Sequence, residues 1–218
     1  MTGPAVAGQT LAVFRRELAV ERAGREALVT TVPFVAALVV LAGLAFGPAP
    51  RDLVVTGPGT AWLAVLVATI PLSRTVAGTE VAEDSWDALR GLVAPGAMFA
   101  GKLLAVWSGL ALTWLLAGGL AVVLFGLPVP PQAFYGGAVG TLALAALTTG
   151  FGVLTASGPR RRGLLAALLL PAGLPALLAG TQLASTKVSV LPWAVLVTLY
   201  AAVVVVAAWA VFPALLEE

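Results

Sequence analysis

The sequence contains no cysteine and no histidine. That excludes disulfides, zinc sites of the usual kind and any Cys or His nucleophile–base pair. Haem ligation by a Cys or His of this chain is excluded as well. Charge is scarce: 12 Lys and Arg with 10 Asp and Glu make up 10% of 218 residues, against 60% hydrophobic. A soluble domain covers itself with roughly a quarter charged residues. The scarcity is also uneven. No Asp, Glu, Lys or Arg lies between Lys102 and Arg160, a gap of 57 residues, and shorter gaps run 27–50, 53–73, 163–186 and 188–216. The net charge of +2 is too small to suggest nucleic acid as a partner.

Continuous runs rich in Ala and Leu fill those gaps. They lack the period-2 alternation of a barrel strand, so helices are predicted. A helix rises ~1.5 Å per residue, so ~20 apolar residues cross the ~30 Å hydrocarbon core. Each shorter gap holds one crossing. The long gap holds two, divided by the turn-forming run GLPVPP at 126–131. The expected architecture is all-α: one polytopic membrane domain over 1–218, with spans at about 28–47, 60–78, 103–125, 135–157, 163–181 and 193–213.

Lys and Arg set the expected orientation. Arg15, Arg16, Arg22, Arg25, Arg74, Arg90, Lys102, Arg160, Arg161 and Arg162 fall on one side, Arg51 and Lys187 on the other, which puts both termini in the cytoplasm. Trp62, Tyr135 and Trp193 are expected at the outer interface and Trp107 and Trp209 near the inner one. Charges interrupt the N-terminus, so no cleavable signal is expected and span one serves as its own insertion signal.

Leu11, Phe14 and Leu18 recur at helical spacing within 10–27, with arginines between them. This reads either as an amphipathic helix in the inner headgroup layer or as a solvated basic leader that enforces topology. Gly136, Gly140 and Gly152, with Thr148, follow a four-residue repeat, and Gly43 and Gly47 form a similar pair. Ordinary helix packing is the expectation for both, with a dimer interface as the other reading.

Between spans two and three, Ala82, Trp86, Leu89 and Val93 form one apolar stripe. Glu80, Glu83, Asp84 and Asp87 gather at its start and on its other face, where the macrodipole favours acids. Pro95 and Gly96 end it. A helix of three turns, with Glu83, Asp84, Trp86, Asp87, Leu89, Arg90 and Gly91 as contacts, suits a groove on a cytoplasmic partner. A surface helix resting on the membrane with Trp86 in lipid is the other reading. GAMFAGKL at 96–103 approaches the phosphate-binding loop but ends in Leu103, has no strand before it and runs into a span. Lys102 is read instead as an interfacial anchor that snorkels to the headgroups.

No span carries an ionisable Asp, Glu, His, Lys or Arg at depth, which argues against an ion-coupled carrier and against an enzyme. Energy for any transport is expected from another subunit, and a path lined by this chain suits a cargo that tolerates an apolar wall. In span five, Pro171 and Pro175 lie four apart. Each removes a backbone donor, so a kinked or partly broken helix is expected, either structural or as a moving gate.

Three segments together resemble the CcmB family, the permease subunit of the haem-exporter ABC transporter of cytochrome c maturation. They are FRREL at 14–18, DALRGLVAP at 87–95 followed by Gly101 and Lys102, and RRRGLLAALLLPAGLP at 160–175. The last is the specific one: the basic turn Arg160, Arg161, Arg162, a leucine run, then two prolines four apart. The stretch 95–102 is shorter than the family usually shows, and Asp84 and Trp86 stand where small or aliphatic residues are common.

The resemblance implies a six-span ABC-2-type permease of the plasma (inner) membrane bilayer. It implies a cytoplasmic ATP-binding subunit as partner, with a haem-handling membrane protein, a small membrane subunit, a haem chaperone and a second copy of the chain. ATP would sit on the partner subunit and haem would be the ligand transported or handled, with no cofactor bound by this chain. Tyr135 and Tyr200 are the only conceivable anionic ligands to haem here. Composition alone leaves open a general ABC-2 permease exporting a lipid or drug, and a non-transporting membrane scaffold.

Overall fold

Backbone that crosses lipid must satisfy its own N–H and C=O groups, and uninterrupted apolar runs do so as helices. The computed structural model describes residues 3–24, 26–46, 50–75, 93–156 and 159–217. Among them are α1 (Gly3–Gly24), α2 (Glu26–Phe46), α3 (Pro50–Thr75), α4 (Pro95–Phe125), α5 (Pro131–Ala156), α6 (Pro159–Leu183) and α7 (Val190–Glu217). Helices α3, α4, α5 and α6 each start at a proline, whose fixed φ suits a first turn and whose missing N–H would have no partner there. At α4 the extended Ala94 (φ −62°, ψ 135°) is the N-cap and Pro95 follows. The helix stops at Gly126, which takes the left-handed conformation (φ 65°) and donates its N–H to the Val122 carbonyl at 2.9 Å.

The chain is a polytopic helical membrane protein. Among the described residues, four segments are long and apolar enough to cross a membrane: Leu53–Pro71, Pro95–Phe125, Pro131–Gly152 and Val190–Ala214. Thr31–Phe46 of α2 and Leu168–Leu183 of α6 are shorter apolar stretches among the described residues. Two helices begin well before the expected spans, α3 at Pro50 rather than 60 and α4 at Pro95 rather than 103. In α3, Gly57 packs so closely that a Cβ there would fall 2.8 Å from Leu127, and the Thr60 hydroxyl donates to the Gly57 carbonyl at 2.8 Å. That packing carries the helix past Pro58.

Helix α5 is the hub, packed against α3, α4, α6 and α7. Ala143, Leu144, Ala145 and Ala146 are buried in succession, so all of its faces meet protein there. Its buried threonines return their hydroxyls to the helix: Thr141 to the Gly137 carbonyl at 2.6 Å, Thr148 to Leu144 at 2.7 Å, Thr149 to Ala145 at 2.8 Å. The glycine stripe is used within the chain. Gly136 packs on Leu183 of α6, Gly137 on Trp114 of α4, and Gly140 on Trp62 of α3. Gly43 of α2 packs against Phe125.

Trp62 departs from its expected interfacial place. Trp62 is 2% exposed and sits where α3, α4, α5 and α6 meet, against Gly140 and Gly180, with its ring 6.4 Å from that of Trp114. The glycines leave the cleft that an indole fills, and burial there removes more apolar area than an interface would. Trp107 donates its indole N–H to the Ala138 carbonyl of α5 at 3.0 Å. Trp209 lies beside Gly96, 3.3 Å from where a Cβ would stand, and Tyr135 remains exposed.

Candidate functional site

The expected docking residues Glu83, Asp84, Trp86, Asp87, Leu89, Arg90 and Gly91 lie outside the described residues. The structure does describe the place their segment leads to, the first turns of α4. Helix α1 lies against that end. The contacts run along one stripe of α1 at a spacing of four. The Ala94 N–H donates to Gln9 Oε1 at 3.4 Å. Val13, 6% exposed, fills the notch at Gly101, where a Cβ would fall 2.6 Å from Val13 Cβ. Lys102 Nζ donates to Glu17 Oε1 at 2.9 Å. Arg16 Nη1 stands 3.5 Å from the same oxygen.

Lys102 is therefore not a snorkelling anchor. It is 1% exposed and paired, because the α1 backbone comes close enough at Gly101 to cover it and Glu17 balances its charge. The same residues dispose of the phosphate-loop resemblance: 96–103 is helix, without a cradle of free N–H groups. Leu11, Phe14 and Leu18 are the other face of α1. Leu11 is 46% exposed and Phe14 and Leu18 are half-buried, turned away from the Gln9–Val13–Glu17 stripe. The contact stripe mixes amide, aliphatic and acid, so a search for apolar periodicity passes over it. The spacing of Gln9, Val13 and Glu17 and the lone lysine after Gly101 were the available signals.

Arg160, Arg161 and Arg162 belong to the first turns of α6, and their side chains lie outside the described residues. Farther along, α6 runs unbroken through Pro171 and Pro175. The helix is not broken there, and its opposite face is packed: Leu169 and Ala176 are buried, and a Cβ at Gly173 would meet Leu66 and Leu144. Pro171 is exposed and Pro175 half-buried. Tyr200 of α7 donates its hydroxyl to the Ala172 carbonyl, one residue past Pro171. Tyr135 shares a hydrogen bond of 2.5 Å with Thr198, whose own hydroxyl donates to the Ala194 carbonyl at 2.6 Å. Both phenols thus face protein oxygens.

At the opposite end of α4, a cavity of about 310 Å3 opens between α3, α4, α5 and the 126–130 turn. Trp62, Trp114 and Phe134 line it, with Gly118 and Gly119 on one wall. Trp114 and Phe134 meet edge to face at 6.0 Å. The lining carries no charged residue and no thiol or imidazole. Sequence reading did not single out Trp114, Gly118 and Gly119 of α4 or Phe134 of α5, which share no motif.

No curated protein is similar enough to the chain to match it. The family model described as CcmB protein matches residues 9–216. The match starts at Gln9, the first residue of the α1 stripe, and runs into the last turn of α7, so it takes in the α1–α4 joint, the aromatic cavity and the proline helix. A match over nearly the whole chain places this protein in the CcmB family, a membrane component of the haem-export system of cytochrome c maturation.

Proposed function

We propose that this chain is the permease subunit of an ABC transporter for haem export or haem-chaperone release, energised by a separate ATP-binding subunit that docks on the segment 80–95. The family match over 9–216 carries the reading. The protein acts within a complex of partner subunits, and the remaining members are a haem-handling membrane protein, a small membrane subunit and the chaperone. The chain crosses the plasma (inner) membrane six times through α2 to α7, with both termini in the cytoplasm. In support, Val13 near the start and Trp209 near the end both pack beside the first turns of α4, while the end of α2 packs at Phe125, at the other end of α4. The apolar aromatic cavity fits a cargo path without ion coupling, and axial haem ligands come from the partners, since this chain holds no His or Cys.

The test is recovery of the protein from detergent-solubilised native membrane with identification of what accompanies it. An ATP-binding subunit together with haem-handling proteins is expected. An ATP-binding subunit alone would replace this reading with a general ABC-2 exporter of lipid or drug. Neither partner, from a preparation shown to be folded, would leave a membrane scaffold.

A further inference from the structure

The buried Lys102–Glu17 pair is more than is needed to hold α1 in place. An apolar pair of the same volume would hold two helices together as well or better, because two charges lose their hydration on burial. What a charge pair adds is register. It is satisfied in one alignment and penalises a slide that parts the charges. Around this pair the joint is fixed at three points. Gln9 meets the Ala94 N–H at the helix start, Val13 fills the Gly101 notch, and Glu17 meets Lys102. These points spread over eight residues of α1, roughly 12 Å at the helical rise.

Chain order gives the joint a direction. Residue 93 leaves the docking segment and Pro95 begins α4, so α4 is the first element any push at that segment reaches. Helix α1 is held to those same first turns, and α2 starts at Glu26, two residues beyond the end of α1 at Gly24. Further along, α2 packs on both α3 and α4.

We propose that Glu17 and Lys102 are positioning residues that join α1 and the first turns of α4 into one rigid body, so that a displacement delivered at the docking segment reaches α2 as well as α4. The proposal rests on the reading that an ATP-binding subunit docks there. The family match does not contain it; the buried pair and the Gly101 notch do.

The test uses the chain assembled with its ATP-binding and haem-handling partners, and reads ATP hydrolysis and haem-chaperone release separately. The chain has no native cysteine, so Gln9→Cys with Ala94→Cys can be bridged by a short, reducible thiol cross-linker away from the charge pair. If α1 and α4 move together, bridging leaves release per ATP within about twofold of the unbridged complex. A loss of about tenfold or more, restored by reductant, would show that α1 must part from α4 and would overturn the proposal.

Charge reversal is the second arm. Glu17→Lys or Lys102→Glu alone is expected to lower release per ATP about tenfold, and the double exchange to recover most of it. A folded, well-recovered double exchange as poor as the singles would overturn the register argument. If the single variants fail to accumulate, the cross-link decides. Failure of the functional reading looks different: the wild-type chain would then recover no ATP-binding subunit at all. Loss of coupling on bridging, in a complex that still hydrolyses ATP, removes only the joint.

Discussion

Lys102 Nζ and Glu17 Oε1 lie 2.9 Å apart, between helices whose paired residues are separated by 85 positions of sequence. The lysine is 1% exposed at its side chain and the glutamate 12%, so water screens the pair little. Removing Glu17 takes from the buried lysine the carboxylate 2.9 Å away, whereas removing Lys102 leaves Glu17 beside Arg16 at 3.5 Å. Glu17→Leu alone is expected to cost about 3–5 kcal/mol, Lys102→Met less because Arg16 stays beside the more exposed Glu17, and the two together close to nothing. Thermal unfolding in detergent, followed by tryptophan fluorescence, measures both. A single variant as stable as the parent would mean that the pair is solvated in the membrane.

Glycine positions give predictions of opposite sign. A Cβ at Gly140 would fall 2.5 Å from the Trp62 ring, and one at Gly137 2.6 Å from Trp114. Gly140→Ala and Gly137→Ala are therefore expected to destabilise by about 1–3 kcal/mol through overpacking. At Gly118 nothing lies within 4 Å of the same position, so Gly118→Ala should gain up to about 1 kcal/mol from helix propensity. Melting temperatures of the three variants under one detergent condition decide it; a uniform direction of change would contradict the packing described.

Tyr200→Phe removes the hydroxyl that reaches the Ala172 carbonyl beside the two prolines. A loss of about 0.5–1.5 kcal/mol is expected, the usual net value of one such bond. Circular dichroism of thermal unfolding reads it, with Tyr135→Phe as the comparison at an exposed site.

Pro171→Ala with Pro175→Ala returns two backbone donors to α6. Since α6 is already continuous through both prolines and held by Leu169, Ala176 and Ala179, insertion and folding should survive. Transport-coupled function is expected to fall while membrane level stays unchanged. A fully active double variant would reduce the prolines to a structural feature.

Reversal of the acidic cluster, Glu83→Lys, Asp84→Lys and Asp87→Lys together, should weaken recovery of the ATP-binding subunit, most at low salt where charge steering is strongest. Co-purification and ATP hydrolysis unchanged across a salt series would take the docking site away from this segment.

Much of the helical framework was legible because its signals are local. Charge gaps mark the apolar stretches and the run at 126–131 divides the longest of them, whereas the prolines at 50, 95, 131 and 159 start helices that were expected to begin later. Boundaries failed where a tertiary contact extended a helix beyond its local signal. Lys102 marked the edge of a span only until Glu17 arrived to pair with it, and residues 50–59 lay before the expected span although Leu127 packs against Gly57 there. The α1 stripe stayed hidden because Gln9, Val13 and Glu17 share a face but not a polarity.

From the sequence alone follow the membrane setting, the helical class and the absence of thiol and imidazole chemistry, since composition and short-range backbone preference determine each of these. The tertiary structure alone decided that Trp62 belongs to the core, that the glycines of α5 serve packing within this chain, and that α1 is fastened to α4. Those outcomes depend on which residues meet after the chain has folded back on itself, and no window of sequence contains both Glu17 and Lys102.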